Sequence, residues 1–487
     1  MRGTEREDKY CLSPADAIIR PKKFRDAAGR RENREWTGAP VRVGGKNDTP
    51  RAVIVDFGRE TGGRLLARFG KTGRVPVRFF FSESLEHLFP IGDLVCTWEP
   101  PAVALLKGHH TYNGPGNCEW KDPLVRGGFR YLLVKPARRC DVEIKDLAIE
   151  AGFYIPPNGE YAGKFVSSDD ELNRIWYSAA YTIQVGTIRP REGFFTARDR
   201  VGAGNWVITD GAKRDRSVWS LDLAVSIPSF LLSIGTPSIP RDSLLSLIHQ
   251  KTRGLYALRD GYIPHTTFPV SHPAGITTSL QTFSNYVLWW VRGCRSYCMY
   301  SGDTAFAREM SPHVADALEW MEKSTRPSPQ SGTPLFHASG FNDLSWDYTI
   351  HRKGFPGATN LLWAVTLEEA AELAELAGHD TISSRYIARA AAIRRAVFEK
   401  GFRPHDLFDH PEGRFRHTTR EGPHTPLEAN ALAVLHDFVS GDEARTLLDL
   451  LARRLEREWG HLCCHRRIAG TLPDWHNGKL MPCLAAF

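Results

Sequence analysis

The chain has no apolar run approaching the 18 or so residues that a membrane-crossing helix needs, so no segment reads as a transmembrane span. The opening does not read as a leader either. The opening MRGTEREDKYCLSPADAIIRPKKF carries charges where a signal peptide needs an apolar stretch. Together these point to a soluble cytoplasmic protein, or a secreted one if a leader precedes this start. There is no C-x-x-C pair: the nine cysteines stand at 11, 96, 118, 140, 294, 298, 463, 464 and 483, an odd and irregular set that favours free thiols over a zinc or redox centre. Charge of one sign is scarce as well. A formal net charge of +7, from 63 basic and 56 acidic residues spread along the chain, gives little support to nucleic-acid binding. No fixed-period repeat is visible, which disfavours a solenoid.

What is present is apolar and aromatic material in quantity. With 487 residues, 42% hydrophobic and 11% aromatic, the chain is long enough for two or more domains with large cores. Its 13 tryptophans suit either a sugar-binding surface or a large helical core. The pattern changes near Ile155-Pro156-Pro157-Asn158-Gly159. Before it, short β-rich runs (Arg51 to Val55, Val75 to Phe81, Tyr131 to Val134) alternate with glycine, proline and asparagine turns, which reads as an all-β domain. After it, helical periodicity dominates. Ser168-Asp169-Asp170-Glu171 predicts a capped helix start, with Leu172, Ile175 and Trp176 following at core spacing, and Thr366 to Ala377 and Ile387 to Phe398 look alike. Helices separated by long polar loops suggest an (α/α) toroid of hairpins with a site built by the loops at one end.

The stretch richest in chemistry is Thr209 to Leu223, TDGAKRDRSVWSLDL, which sets Asp210, Asp215 and Asp222 among Lys213, Arg214, Arg216 and Trp219. Glycosidic cleavage needs one carboxylic acid to protonate the leaving oxygen and one carboxylate to activate water or attack carbon. A tryptophan adds an apolar wall for a sugar face. If the segment is helical from Asp215 onward, Asp215, Trp219 and Asp222 share one face. A solvated, salt-bridged helix start would have the same composition.

This stretch resembles the signature of the α-L-rhamnosidases, a family of inverting six-hairpin glycosidases, whose pattern reads roughly D-G-x-K-R-D-R-x-x-W-x-G-D. Every position fits except Leu221, which stands where the family has glycine and adds bulk where backbone approaches ligand. The resemblance implies that Asp215 is the general acid, that Asp210 and Asp222 hold rhamnose hydroxyls, and that Trp219 packs on the sugar. Weaker likenesses extend over about residues 10 to 460. Ala52 to Leu66 resembles a buried strand entering a glycine-rich turn, and Leu124 to Val134 the strand closing the β-domain. Phe165 to Gln184 and Asn285 to Asp303 resemble barrel helices. The implied architecture is an N-terminal β-sandwich (1–157), an (α/α) six-hairpin toroid with its last hairpin incomplete (158–460), and an atypical tail (461–487). Phe341 to Gly354, FNDLSWDYTIHRKG, holds Asp343, Trp346, Asp347 and His351. Because family sites draw a tryptophan and a carboxylate from this region, Trp346 and Asp347 become expected substrate contacts, although a plain loop with one capping aspartate fits as well. His265 and His272 read as surface residues.

Inversion also needs a base, held about 6.5–9.5 Å from the acid so that water fits between them. In the family a glutamate from the last hairpins serves. Glu428, in PLEANALAV, is the best-placed glutamate, with Glu421 second; equally, Glu428 reads as a dipole-favourable residue of a first helical turn. Past Gly460 the resemblance stops. The tail HLCCHRRIAGTLPDWHNGKLMPCLAAF contains no glutamate, and its composition suggests a shifted frame, a retained intron or a truncation. Adjacent Cys463 and Cys464, beside His461 and His465, fit no zinc spacing. An incomplete toroid would expose apolar faces and favour a homodimer.

The resemblance thus implies a glycoside hydrolase acting on a rhamnose-containing glycoside or polysaccharide, with no metal or organic cofactor and neither nucleic acid nor membrane as partner. Two other classes stay open: a carbohydrate-binding pseudoenzyme lacking the base, and another toroid enzyme such as a polysaccharide lyase or a glycan phosphorylase.

Overall fold

A computed structural model describes residues 9–28, 34–44, 51–70, 76–88, 109–137, 141–189, 205–213, 216–251, 260–267, 282–339, 352–420, 424–458 and 460–462. The chain is a mixed β and α molecule that parts into two compact units, 1–246 with 267–275 and 247–266 with 276–487. No described helix is long and apolar enough to cross a membrane. Among the described residues Cys118, Cys294 and Cys298 are free thiols.

The first unit holds an antiparallel sheet with ten described strands: β1 (Ile18–Ile19), β2 (Lys23–Asp26), β3 (Arg34–Glu35), β4 (Val41–Val43), β5 (Val53–Phe69), β6 (Val77–Ser82), β7 (His109–Tyr112), β8 (Glu119–Lys121), β9 (Arg126–Pro136) and β10 (Val142–Ala151). The main path runs β1-β10-β5-β9-β6-β7. Val53, Val55 and Phe57 point inward while Ile54 and Asp56 are half-buried, the period-2 pattern of a strand with one face on a core. That core sets aromatic rings among valines, isoleucines and leucines. Phe69 stacks on Tyr112 at 4.5 Å between centroids, Phe79 on Trp120 at 5.5 Å, and Phe81 meets Phe129 edge-on at 4.9 Å.

The glycine-rich stretch expected to be a turn after a short strand is instead the middle of β5. Its register against β9 shifts between Asp56 and Thr61 and again before Gly63, so the strand bulges and continues. Asp56 stabilises the bulge by accepting from the Gly58 N–H at 2.6 Å and from both arms of the Arg130 guanidinium, which hold its carboxyl below the usual range. Gly63, at φ +152°, passes so close to the Glu150 carbonyl that a Cβ would overlap the oxygen. Beyond the bulge β5 turns its pairing toward β10 and β8, which curls the sheet. The strand over 124–134, expected to close the domain, lies inside the sheet between β5 and β6; β10 follows it.

Helix α1 (Asp170–Val185) begins as the S-D-D-E start predicts, the Asp169 carboxylate accepting from the N–H groups of Glu171 and Leu172. Its buried stripe is not the one expected. Leu172 and Ile175 are 49% and 57% exposed, and Asn173, Tyr177, Ala180, Tyr181, Gln184 and Val185 face inward. Two tyrosines decide this. Tyr177 stacks with Tyr10 and Tyr161, while Tyr181 joins the sheet's core and donates its hydroxyl to the Glu60 carbonyl at 2.6 Å. Helix α2 (Ser220–Ser233) follows in the same unit, and helix α3 spans Ser238–Lys251.

In the second unit, α4 (Ser284–Ser301) and α5 (Thr304–Glu322), α6 (Gly357–Leu376) and α7 (Asp380–Ala396), and α8 (Leu427–Leu435) and α9 (Gly441–Leu455) are pairs joined by short turns. Gly302 and Gly378 supply left-handed residues in the first two turns. Helix α6 is buried almost all round, Trp363 included, and Arg292 pairs with Glu369 at 3.0 Å across α4 and α6. Two pairs share a device that the sequence did not disclose as a repeat. Pro356 and Pro426 each precede a helix and are followed four residues later by Asn360 and Asn430. Each asparagine accepts from the N–H of a strand phenylalanine and donates to that residue's carbonyl and to the proline carbonyl: Phe336 for Asn360, Phe415 for Asn430.

Candidate functional site

In the first unit the segment 209–223 is held from both ends. Val207–Ile208 pairs with Thr187–Ile188, and Thr209 returns two hydrogen bonds to the Gly186 carbonyl, from its N–H at 3.0 Å and its hydroxyl at 2.6 Å. Asp210 closes a loop onto Ser217: its N–H donates to the Ser217 carbonyl at 3.0 Å, and its carboxylate accepts from the Ser217 N–H at 3.1 Å. Val218 exchanges bonds with Thr267, donating to its hydroxyl and accepting from its N–H.

The helix expected from Asp215 starts later, at Ser220, with Trp219 as its extended N-cap residue. Arg216 is the reason, for it sits at φ +54° with its guanidinium buried, donating to the Val125 carbonyl at 3.0 Å. No α-helix continues through a left-handed residue. Burial lowers the Arg216 pKa to about 10, and the Asp210 charge opposes that fall. Asp222 lies in the first turn of α2, where the helix dipole favours a carboxylate. Trp219 is 5% exposed.

The loop also rests on the sheet. The Gly128 N–H donates to the Ala212 carbonyl at 2.8 Å, and Lys213 Nζ pairs with Glu83 at 2.9 Å. Beside them is Glu60, which burial and then the Glu83 charge push up to about 7, with Lys213 opposing. Glu83 and Glu60 were not singled out from sequence, and Arg216 was named there only as one charge of the motif. The charge cluster of the motif was the available signal for Arg216, whereas nothing in one dimension brings residues 60 and 83 to residue 213.

In the second unit Glu428 occupies the first turn of α8, 23% of its side chain exposed, with Oε2 at 3.1 Å from the Arg352 guanidinium. Arg352 is fully buried and donates also to the Thr359 hydroxyl at 3.0 Å. This arginine lies in the quoted loop 341–354, where the aspartates and tryptophan drew attention instead. His265, read as a surface residue, is completely buried: Tyr262 Oη lies 2.7 Å from its Nδ1 and Phe283 packs on its ring at 4.4 Å. Asp215, Trp346, Asp347, Asp343, His351, His272 and Glu421 lie outside the described residues, as does the tail from Cys463 onward.

No family model matches this chain, and no curated protein matches it. Solved structures do. The GH78 family rhamnosidase of Bacillus sp. GL1 superposes with a TM-score of 0.62 at 17% identity, over 82% of this chain and 37% of that one. A rhamnosidase from Klebsiella oxytoca with rhamnose bound gives 0.64 at 17% identity, over 90% and 79%. The α-L-rhamnosidase of Aspergillus terreus gives 0.57 at 13%, over 91% and 44%. This chain therefore spans under half of two of these three structures. Sheet and helices together resemble the α-L-rhamnosidases, and the fold of this chain is theirs.

Proposed function

We propose that the chain is a glycoside hydrolase that releases terminal α-L-rhamnose from a glycoside or polysaccharide with inversion. The observation that carries this is the D-G-A-K-R-D-R-S-V-W loop, pinned at Thr209, Asp210 and Arg216, in a chain whose fold is that of rhamnosidases. In this reading residues 1–157 are a β-sandwich, 158–460 a six-hairpin toroid with its last hairpin incomplete, and 461–487 a tail. An open toroid seam would draw two copies together.

Asp215 protonates the leaving glycosidic oxygen. Asp210 and Asp222 hold the sugar hydroxyls, Trp219 forms the apolar wall, and Trp346 and Asp347 add contacts. Glu428 activates water. Its partner Arg352 holds the carboxylate in place at 3.1 Å. The test is hydrolysis of an aryl α-L-rhamnoside by the chain and by its Asp215→Asn variant. Turnover that falls at least 100-fold in the variant supports the assignment, since general acid catalysis contributes about 10²–10⁴-fold; equal turnover overturns it.

The Arg352–Glu428 pair also favours a second reading. A buried guanidinium needs a counter-ion whether or not chemistry occurs, and Glu428 supplies one. Rhamnose binding without turnover would then mark a carbohydrate-binding protein, and an unsaturated uronate product would mark a lyase.

A further inference from the structure

Glu428 stands in the first turn of α8, and the residue at the N-cap of that helix is Pro426, which has no side-chain oxygen to cap the opening N–H groups. The helix entrance is gripped instead from two other elements of the second unit. Phe408–Asp409 and Arg414–Phe415 pair as a short antiparallel hairpin, and Arg414 is completely buried. Each of its guanidinium nitrogens donates: Nε to Glu412 Oε2, Nη2 to Asp409 Oδ2 at 3.1 Å, and Nη1 to the His424 carbonyl just ahead of α8. From α9, Arg454 Nη1 donates to the Thr425 hydroxyl at 2.8 Å and to the same Glu412 oxygen at 2.8 Å. Glu412 thus joins the two arginines, which hold consecutive residues on the way into α8. Beyond the entrance, Asn430 clamps the helix to Phe415 of the same hairpin.

We infer that Arg454 is a positioning residue: through Thr425 and Glu412 it fixes the entrance of α8 and so sets where the Glu428 carboxylate stands beside Arg352. Its Nη1 carries two N–H groups, one for each acceptor, and the planar fork fixes both directions together. A lysine in its place would be a point charge on a flexible stem, able to reach an acceptor without fixing the angle between the two. Glu428 follows Thr425 within one helical turn, so a shift at the entrance passes directly to the carboxylate. Arg352 ties the carboxylate, and Arg454 ties the backbone that carries it. The consequence for water activation rests on the hydrolase reading; the anchor itself does not.

The experiment uses the full chain and its Arg454→Met and Arg454→Lys variants, each alone and combined with Glu428→Gln. Both kcat and KM are measured on an aryl α-L-rhamnoside, and amide hydrogen exchange is followed at 430–433 in α8. Arg454→Met is expected to lower kcat roughly 10- to 100-fold with KM changed less than about twofold, because a misplacement near 1 Å costs on the order of 100-fold while the sugar contacts lie on other segments. Arg454→Lys should recover part of the loss. In the Glu428→Gln background Arg454→Met should cost nothing further, since the group it positions is gone. Exchange protection at 430–433 should fall roughly tenfold in Arg454→Met, the scale of one lost hydrogen bond to a charged group. An unchanged kcat, a loss confined to KM, an equal fall persisting beside Glu428→Gln, or unchanged protection overturns the assignment. If the wild type releases no rhamnose, the hydrolase reading fails and exchange alone decides the anchor: lost protection keeps it, and unchanged protection rejects it.

Discussion

Replacing Gly127 by alanine should lift the site loop off the sheet. Besides overlapping the Ala212 carbonyl oxygen, the new Cβ would lie 2.7 Å from Lys213 Cα and 2.8 Å from the Lys213 carbonyl oxygen. These are backbone atoms, so no rotamer change relieves the overlap. Gly127 does not have a positive φ, and the substitution is therefore purely steric in effect. Overpacking of this kind costs about 1–3 kcal/mol. The stiffer unfolded chain offsets about 0.4–1 kcal/mol of it, which leaves a net loss on the order of 1–2 kcal/mol. At roughly 2–4 °C per kcal/mol for a unit of this size, Tm should drop by about 2–8 °C. Gly128→Ala presses on the end of the Glu60 side chain, which can turn away, so its loss should be smaller. Thermal unfolding followed by circular dichroism, with exchange protection at 209–213, reads both effects. An unchanged Tm in Gly127→Ala, or a larger drop in Gly128→Ala, would refute the steric argument.

Asn430→Ala should destabilise the second unit by at least about 2 kcal/mol, because it strips partners from the buried N–H and carbonyl of Phe415; a denaturant midpoint shift worth less than ~0.5 kcal/mol would show that the clamp is idle. His436 is lowered to about 4 by burial and by the Arg292 and Arg394 charges, so it is neutral in the fold near pH 5 while the unfolded chain takes up a proton there. Its stabilisation is present above about 6.5 and lost as pH falls toward 4, on the order of 1–2 kcal/mol once partial solvent access is allowed for. His436→Gln should flatten that slope, and an unchanged slope in urea titrations at pH 4.5 and 7 would exclude the histidine as its source.

The amino-acid sequence by itself determined the order of the molecule: a β-rich beginning, a helical remainder, the Asp169 cap, and the charged loop ahead of Trp219. These are local features, readable because strand alternation, helix caps and short motifs act over a few residues. It also carried the likeness to rhamnosidases that the fold bears out. Tertiary structure alone decided which face of α1 is buried, since Tyr177 and Tyr181 outweigh Leu172 and Ile175 only when aromatic partners and the sheet are there to receive them. It alone stopped the helix short of residue 215, because Arg216 adopts a left-handed backbone to reach the Val125 carbonyl, some ninety residues away in sequence. The pairings of Arg352 with Glu428 and of Lys213 with Glu83 are of the same kind. Charges distant along the chain acquire shifted proton affinities and fixed partners only once folding removes water from between them.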